Sequence, residues 1–379
     1  MAETVIYLDH AATTPVAPAV LEAMLPWLHE GYGNPGSLHR IGRRARQAVR
    51  EAREQVAALI GAEPREIHFS SGGTESDNLA LAGILEGKPG TLVTSPTEHH
   101  AVLHTAHRCA SHGATVYEMK MDQMGCVDLA AFRDSCPHDA RLVSLMHGNN
   151  ETGVLQPVDE VARWCFDQGI AFHSDAVQSV AHVPIDVRSW PVSMLTLSAH
   201  KLGGPKGVGA LFVRKGTVLT PQITGGGQER KLRAGTENVA GIVGFGLACE
   251  LVRTRQAQES KRLALLGVRL QEGITSRIPD CQINGGDAPR LPHIVNIGFA
   301  GVEGEGVLYG LDAENICVST GSACTAGVSD PSHVLRAMGQ SHGEALSAVR
   351  FSLGVSTTEA DIDRVLNVLP RVIQELRAH

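Results

Sequence analysis

From about residue 64 to residue 255, short apolar runs alternate with stretches of helical periodicity, and this alternation limits the possible folds more than any other feature of the chain. The segments "REIHFSS", "GTLVTSP", "ATVYEMKM", "ARLVSLMH", "IAFHSDA", "SMLTLSAH" and "GVGALFVR" read as seven strands. Between them stand helical segments such as "TESDNLALAGILEG" and "PVDEVARWCFDQG", with another helix starting at about Glu98. Apolar strands joined through helices predict a mainly parallel sheet covered on both faces. In such a sheet functional residues collect where strands end and loops begin.

Outside that region the pattern changes. "SLHRIGRRARQAVREAREQVAALIG" predicts a long helix closed by Gly61, with Ile41, Ala45, Val49, Ala52 and Val56 on one stripe. Its arginines at 40, 43, 44, 46, 50 and 53 are interleaved with Glu51 and Glu54, which reads as a solvated face; an acidic partner is the alternative. Beyond about residue 259, a charged helix leads to "HIVNIGFAG", "ENICVST" and "AVRFSLG", and a last helix starts at about Thr358. The expectation is an α/β protein: a large domain over 15–258 with a mainly parallel seven-stranded sheet flanked by helices, and a smaller α+β domain from 1–14 and 259–379. A chain of 379 residues can bury such cores without disulfides, and its eight cysteines include no C-x-x-C pair, so a reducing cytoplasm is expected. The net charge of −7 argues against nucleic acid as the main partner. No apolar run has the length of a membrane span, and "MAETVIYLDH" lacks the regions of a signal peptide.

The segment "LTLSAHKLGGPKGVGALFV" says most about chemistry. A strand stops at Ser198, His200 and Lys201 follow, and glycines then permit close backbone approach. Desolvation at the end of a buried strand disfavours a charged lysine and makes its amine nucleophilic, the state a Schiff base needs. Alone, the motif is more simply read as a loop lysine reaching solvent. "FSSGGTES" is a strand, a glycine turn and a helix start, where free N–H groups favour a phosphate; an ordinary capped turn has the same appearance. "HSDAVQS" puts Asp175 at a strand end, able to pair with a protonated ring nitrogen or to cap a helix, with Gln178 one turn on. Together, a Schiff-base lysine, a phosphate cradle and a ring-pairing aspartate are what pyridoxal phosphate requires.

The motifs "YLDHAATTP", "GNPGSLH", "SGGTESDN", "TEHHAVL", "NNETGVLQP", "HSDAVQS", "SAHKLGGPKG", "RAGTENV", "GSACTAG" and "RFSLG" occur in this order from about residue 7 to residue 360. The chain thereby resembles the NifS/IscS-like cysteine desulfurases, in the class V aminotransferase group of fold-type I pyridoxal-phosphate enzymes. The resemblance implies that Lys201 is the Schiff-base lysine, that Asp175 pairs the ring nitrogen, and that Gln178 bonds the ring's phenolic oxygen. It implies that Gly73, Thr74, Ser198 and His200 hold the phosphate, and that Thr236 reaches the phosphate of a neighbouring subunit, hence a homodimer. His99 would stack on the ring and exchange a proton with the substrate thiol. Asn150 would lie near the substrate and the ring oxygen, and Arg350 would grip the substrate carboxylate. Cys324 would take sulfur from L-cysteine as a persulfide, leaving L-alanine. "GSACTAGVSDPSH" is similar to the longer of the family's two loop types, which implies delivery to a sulfur-acceptor protein.

Two departures bear on where sulfur goes. Thr320 stands where the family often has Ser, and the chain ends at "ELRAH", without the longer tail that housekeeping members use to hold an iron–sulfur scaffold. Iron–sulfur assembly, tRNA thiolation and DNA phosphorothioation all stay open as outlets. A selenocysteine lyase or an aminotransferase would share the lysine, the aspartate and the phosphate residues, and Cys324 separates them from a desulfurase. A non-enzyme alternative comes from His100, His104 and His107, spaced along one helix face as metal ligands can be; a solvated face is the simpler reading, because no carboxylate or cysteine nearby completes the set.

Overall fold

The computed structural model describes residues 5–320 and 330–378. Its largest sheet has seven strands, in the order Ile67–Ser70, Gly209–Val213, Met194–Ser198, Ala171–Asp175, Ala140–Ser144, Thr91–Thr94 and Thr115–Glu118. The last five pair in parallel. Gly209–Val213 runs antiparallel to both of its neighbours, so it alone points against the rest. The reason is local: only a short turn, Ala199–Lys201, and a glycine-rich stretch separate it from Met194–Ser198. A parallel return would have needed a crossover helix there. All seven strands fall within the segments expected from the sequence. Six are buried along most or all of their length, while Thr115–Glu118 at the edge is not.

The helix Arg40–Ile60 starts with the His39 side chain accepting from the Gly42 N–H, and it ends at Gly61. Ala45, Val49, Ala52 and Val56 are buried on its inner stripe, and Ile41 is half-buried. Arg53 is not part of a solvated face. It makes an ion pair of 2.7 Å with Glu229, donates at 2.7 Å to the Ile67 carbonyl and lies over the Phe69 ring.

One helix, Val239–Arg277, connects the two main cores. At 39 residues it is about 58 Å long. Its first half contributes Val239, Ile242, Phe245 and Cys249 to the core around the large sheet. Its second half contributes Leu263, Leu266, Leu270 and Ile274 to the other core, which also takes in Leu8 from the N-terminal segment. This second core packs on an antiparallel sheet, ordered Ala348–Ser352, Ile294–Phe299, Cys281–Ile283, and on the helix Glu359–Arg377. Thr358 and Asp361 form a capping box at the start of that helix, where the sequence places it. The N-terminal strand Ile6–Tyr7 pairs in parallel with Ile316–Cys317.

The segment after Ile6–Tyr7 brings the two sheets to one place. The His10 N–H donates to the Ser352 carbonyl and the Ala11 N–H to the Ser352 hydroxyl, while the Thr14 N–H donates to the His200 carbonyl. Residues 9–14 therefore cross from the small antiparallel sheet to the strand-end turn that carries Lys201. No described helix is long and apolar enough to cross a membrane.

Candidate active site

The C-terminal ends of the co-directional strands meet in a cavity of about 400 Å³, a size suited to a small cofactor and substrate. Gly73, Thr74, His99, Asn150, Asp175, Gln178, Ser198, His200, Lys201 and Arg350 all line it. Thr236 does not: it is exposed and away from the cavity within one chain. Cys324 lies outside the described residues. The other seven cysteines are free, and none of them lines the cavity.

On one wall, the strand Ile67–Ser70 passes through Ser71 and Gly72 into the helix Gly73–Leu85. Gly72 has φ of 155°, outside what side-chain-bearing residues readily adopt. Gly209 lies against it, so closely that a Cβ on Gly209 would sit 2.7 Å from the Gly72 Cα. No side chain caps this helix start, which leaves first-turn N–H groups for an anion. Glu75 in the same turn accepts from Ser71 N–H and is paired with Arg233 at 2.8 Å.

Lys201 follows the strand Met194–Ser198 in a tight turn. Its Nζ donates to the carbonyls of Ala11 and, at 2.8 Å, Ala12. Burial, then the nearby Arg350, lowers the amine to about 8, against the opposing pull of Asp9 and Asp175. Asp175 ends its strand almost fully buried, with one oxygen accepting from the Val177 N–H at 2.8 Å. Burial pushes its carboxyl up, while Val177 N–H and Lys201 act against that. Gln178 donates to the Ala11 carbonyl at 2.8 Å. His200 reaches the Thr13 hydroxyl at 3.1 Å, and burial followed by Lys201 and Lys206 lowers it to about 4.

His99 caps the helix His100–Ser111: its Nδ1 accepts from the Ala101 N–H at 3.1 Å. In the neutral ring the proton therefore sits on Nε2. Burial first, then Lys201, His100, His333 and His104, lowers His99 to about 4. The cavity thus holds a neutral imidazole rather than a cation.

Arg350 comes from the other sheet, on the strand Ala348–Ser352, and is almost fully buried. Its guanidinium donates to Asp9 at 2.7 Å and to the Asn150 carbonyl at 2.9 Å, and its Nε is buried without a partner. Asn150 thus holds Arg350 through its backbone, a role the sequence did not suggest. Asp9, Asp77, His100 and His333 were also not assigned to the site from the sequence. Asp9 lies within the quoted "YLDHAATTP", so that motif was the available signal. Asp77 and His333 likewise lie within the quoted "SGGTESDN" and "GSACTAGVSDPSH", but only the fold shows that they reach the cavity.

The metal alternative does not gain a ligand set. His100 packs on His104 and on His333, with ring centroids 5.1 Å and 4.6 Å apart, and His107 is exposed. Among the described residues, no group of three or more histidine, cysteine or acidic side chains is placed to hold a metal ion.

A mainly parallel sheet with a half-buried lysine and a buried aspartate at its strand ends, closed by an arginine from a second sheet, has the architecture of a fold-type I transferase. Residues 6–365 match the family described as aminotransferase class-V. A cysteine desulfurase of Nostoc sp. is 46% identical over 377 residues, covering 99% of this chain and 94% of that protein. A cysteine desulfurase IscS of Dictyoglomus turgidum is 46% identical over 375 residues, covering 98% of this chain and 95% of that protein. Among solved structures, a NifS-like protein superposes with a TM-score of 0.92 at 36% identity, covering 98% of this chain and all of that one. The chain belongs to the class V aminotransferase family, among its NifS/IscS-like cysteine desulfurases.

Proposed function

We propose that the cavity holds pyridoxal phosphate and removes the sulfur of L-cysteine, with Cys324 as the first acceptor and L-alanine as the other product. The observation that carries this reading is the depressed Lys201 amine facing a buried aspartate across a cavity with an uncapped helix start on its wall. The residues fit the cofactor. Its phosphate suits the N–H groups at Gly73 and Thr74 together with Ser198 and His200. A protonated ring nitrogen suits Asp175, a buried carboxylate in need of a cation. Thr236, exposed in one chain, is proposed to complete the phosphate seat of a partner subunit, which makes the working unit a homodimer.

Bound there, pyridoxal phosphate supplies an electrophilic carbonyl for amines and an electron-withdrawing ring that weakens bonds at the substrate's α- and β-carbons. The chain's own groups do the rest. Lys201, lowered to about 8 and so partly neutral at physiological pH, is a nucleophile when it holds the cofactor and a base for the substrate's α-proton when it does not. Asp175 keeps the ring nitrogen protonated, and Gln178 orients the ring from its bond to the Ala11 carbonyl. The Arg350 Nε, unpartnered and buried, is a ready donor to the substrate carboxylate. His99 presents Nε2–H toward the cavity and can exchange a proton with the substrate's sulfur. The Cys324 thiolate attacks that sulfur, so that an S–S bond forms as the C–S bond breaks. The carbon gains a proton, and cysteine plus thiol becomes alanine plus persulfide.

The persulfide is proposed to pass to an acceptor protein in iron–sulfur assembly, tRNA thiolation or DNA phosphorothioation. The test uses purified protein and L-cysteine, with alanine and the mass of the Cys324 peptide as readouts. One sulfur atom should be added to that peptide. Cys324→Ala should abolish this and still give a borohydride-trapped cofactor adduct on Lys201. Sulfur transfer that persists in Cys324→Ala would refute the assignment.

A further inference from the structure

We propose that Asp77 is a second carboxylate of the cofactor seat, a positioning residue that acts with Asp175 to hold the protonated ring nitrogen. This rests on the reading of the cavity as a pyridoxal-phosphate site.

Asp77 lies one turn into the helix Gly73–Leu85, on the side turned to the sheet, lines the cavity and is 1% exposed. Its Oδ1 has no hydrogen-bond partner, and the His173 Nε2 is 3.6 Å away. His173 and Asp175 are two residues apart on one strand and so face the same side of the sheet. Thr196 is directly opposite Asp175 on the adjoining strand. The His173 ring bonds the Ser144 hydroxyl at 2.9 Å and the Thr196 hydroxyl at 3.0 Å, and Thr196 lies near enough to Asp77 to favour its charged form. One donor direction suits the ring and both hydroxyls. The Ser144 O–H gives to Nδ1 and Nε2–H gives to the Thr196 oxygen, which leaves the Thr196 O–H free to turn toward Asp77. Donors aligned head to tail reinforce one another, and this row ends on Asp77.

The charges facing Asp77 make the arrangement costly as it stands. From the strand comes Asp175; from the turn before the helix His100–Ser111 comes Glu98, buried, with Oε2 also unpartnered. The nearest cation on Asp175 is Lys201, whose Nζ is occupied by two carbonyls. Burial, then the charge of Asp175, raises the Asp77 carboxyl well above its ordinary range. Two close carboxyls in a dry site share one proton unless a cation stands between them. A pyridinium held by Asp175 would bring a cation to the pair and would let both ionise.

The test strips the full chain of cofactor and measures the binding of two probes. One is pyridoxal phosphate; the other is its deaza analogue, in which carbon replaces the ring nitrogen. Asp77→Asn should weaken pyridoxal phosphate about ten-fold, the equivalent of one pKa unit of interaction, and leave the deaza analogue unchanged. Asp77→Ser serves as a second variant should Asp77→Asn fold poorly. Equal weakening of both probes would make Asp77 a packing residue and overturn the proposal, as would no weakening of either. If wild-type chain forms no borohydride-trapped adduct on Lys201, the cofactor reading itself fails. If that adduct forms and the two probes respond alike, only the role of Asp77 is lost.

Discussion

Lowering the pH should unfold this protein through a histidine cluster that lies behind the active site. The His182 and His293 rings are stacked 3.6 Å apart, and both ring nitrogens of His10 and the Nδ1 of the other two are buried without partners. Burial, opposed by Asp9, lowers His10 to about 4; burial, then His10, lowers His182 to about 3. Burial, then His182 and His10, holds His293 well below its ordinary range. All three are neutral in the fold, while in the unfolded chain they titrate near 6.5. Below that pH the unfolded chain binds more protons, so stability is full above about 6.5 and is lost as the pH falls toward the folded-state values. From pH 7.5 to 5.5 each such histidine costs about 1.4 kcal/mol, and the three together about 4 kcal/mol. The assay is urea unfolding at both pH values and fixed protein concentration, comparing wild type with His182→Asn. Other buried histidines contribute to both proteins and cancel. The variant should lose about 1.4 kcal/mol less stability than wild type across that interval. Equal losses would mean that His182 is not held neutral, and the reasoning would fail.

Other outcomes are equally specific. Glu229→Gln should destabilise by about 3–5 kcal/mol, read as a fall in Tm, because it leaves the half-buried Arg53 without its charge partner and weakens the acceptor of the Phe69 N–H. Arg350→Lys should lower kcat/KM for cysteine by about 10–100-fold while leaving cofactor content unchanged. An ammonium cannot bridge Asp9 and the Asn150 carbonyl and still offer an Nε–H to a carboxylate. A Thr236 variant should weaken cofactor retention in the dimer if that residue reaches the partner's site; unchanged retention would count against that role.

Much of the site was legible because its chemistry lies at strand ends. Lys201 and Asp175 each end an apolar run, and an ionisable group there has few structural reasons to exist. Arg350 was legible for a related reason: it is flanked by apolar residues on a buried strand. The arginines of Arg40–Ile60 were only partly legible. Arg53 belongs to a buried pair because Glu229, 176 residues away, is folded onto it. Helical spacing cannot show this. The histidine spacing at 100, 104 and 107 suggested ligands, yet the fold packs His100 against His333 instead.

Local order determined what the sequence alone could show: the succession of apolar strands and amphipathic helices, the turn glycines, and the residue types at strand ends. These follow from backbone sterics, side-chain periodicity and desolvation, all of which act over a few neighbouring residues. The tertiary structure decided which of those residues share one cavity. The Asp9–Arg350 pair joins residues 341 apart, and the Asp77–Thr196–His173–Ser144 row joins a helix to three strands. Such contacts depend on strand order and on the segment 9–14 crossing between two sheets, and no local pattern encodes them.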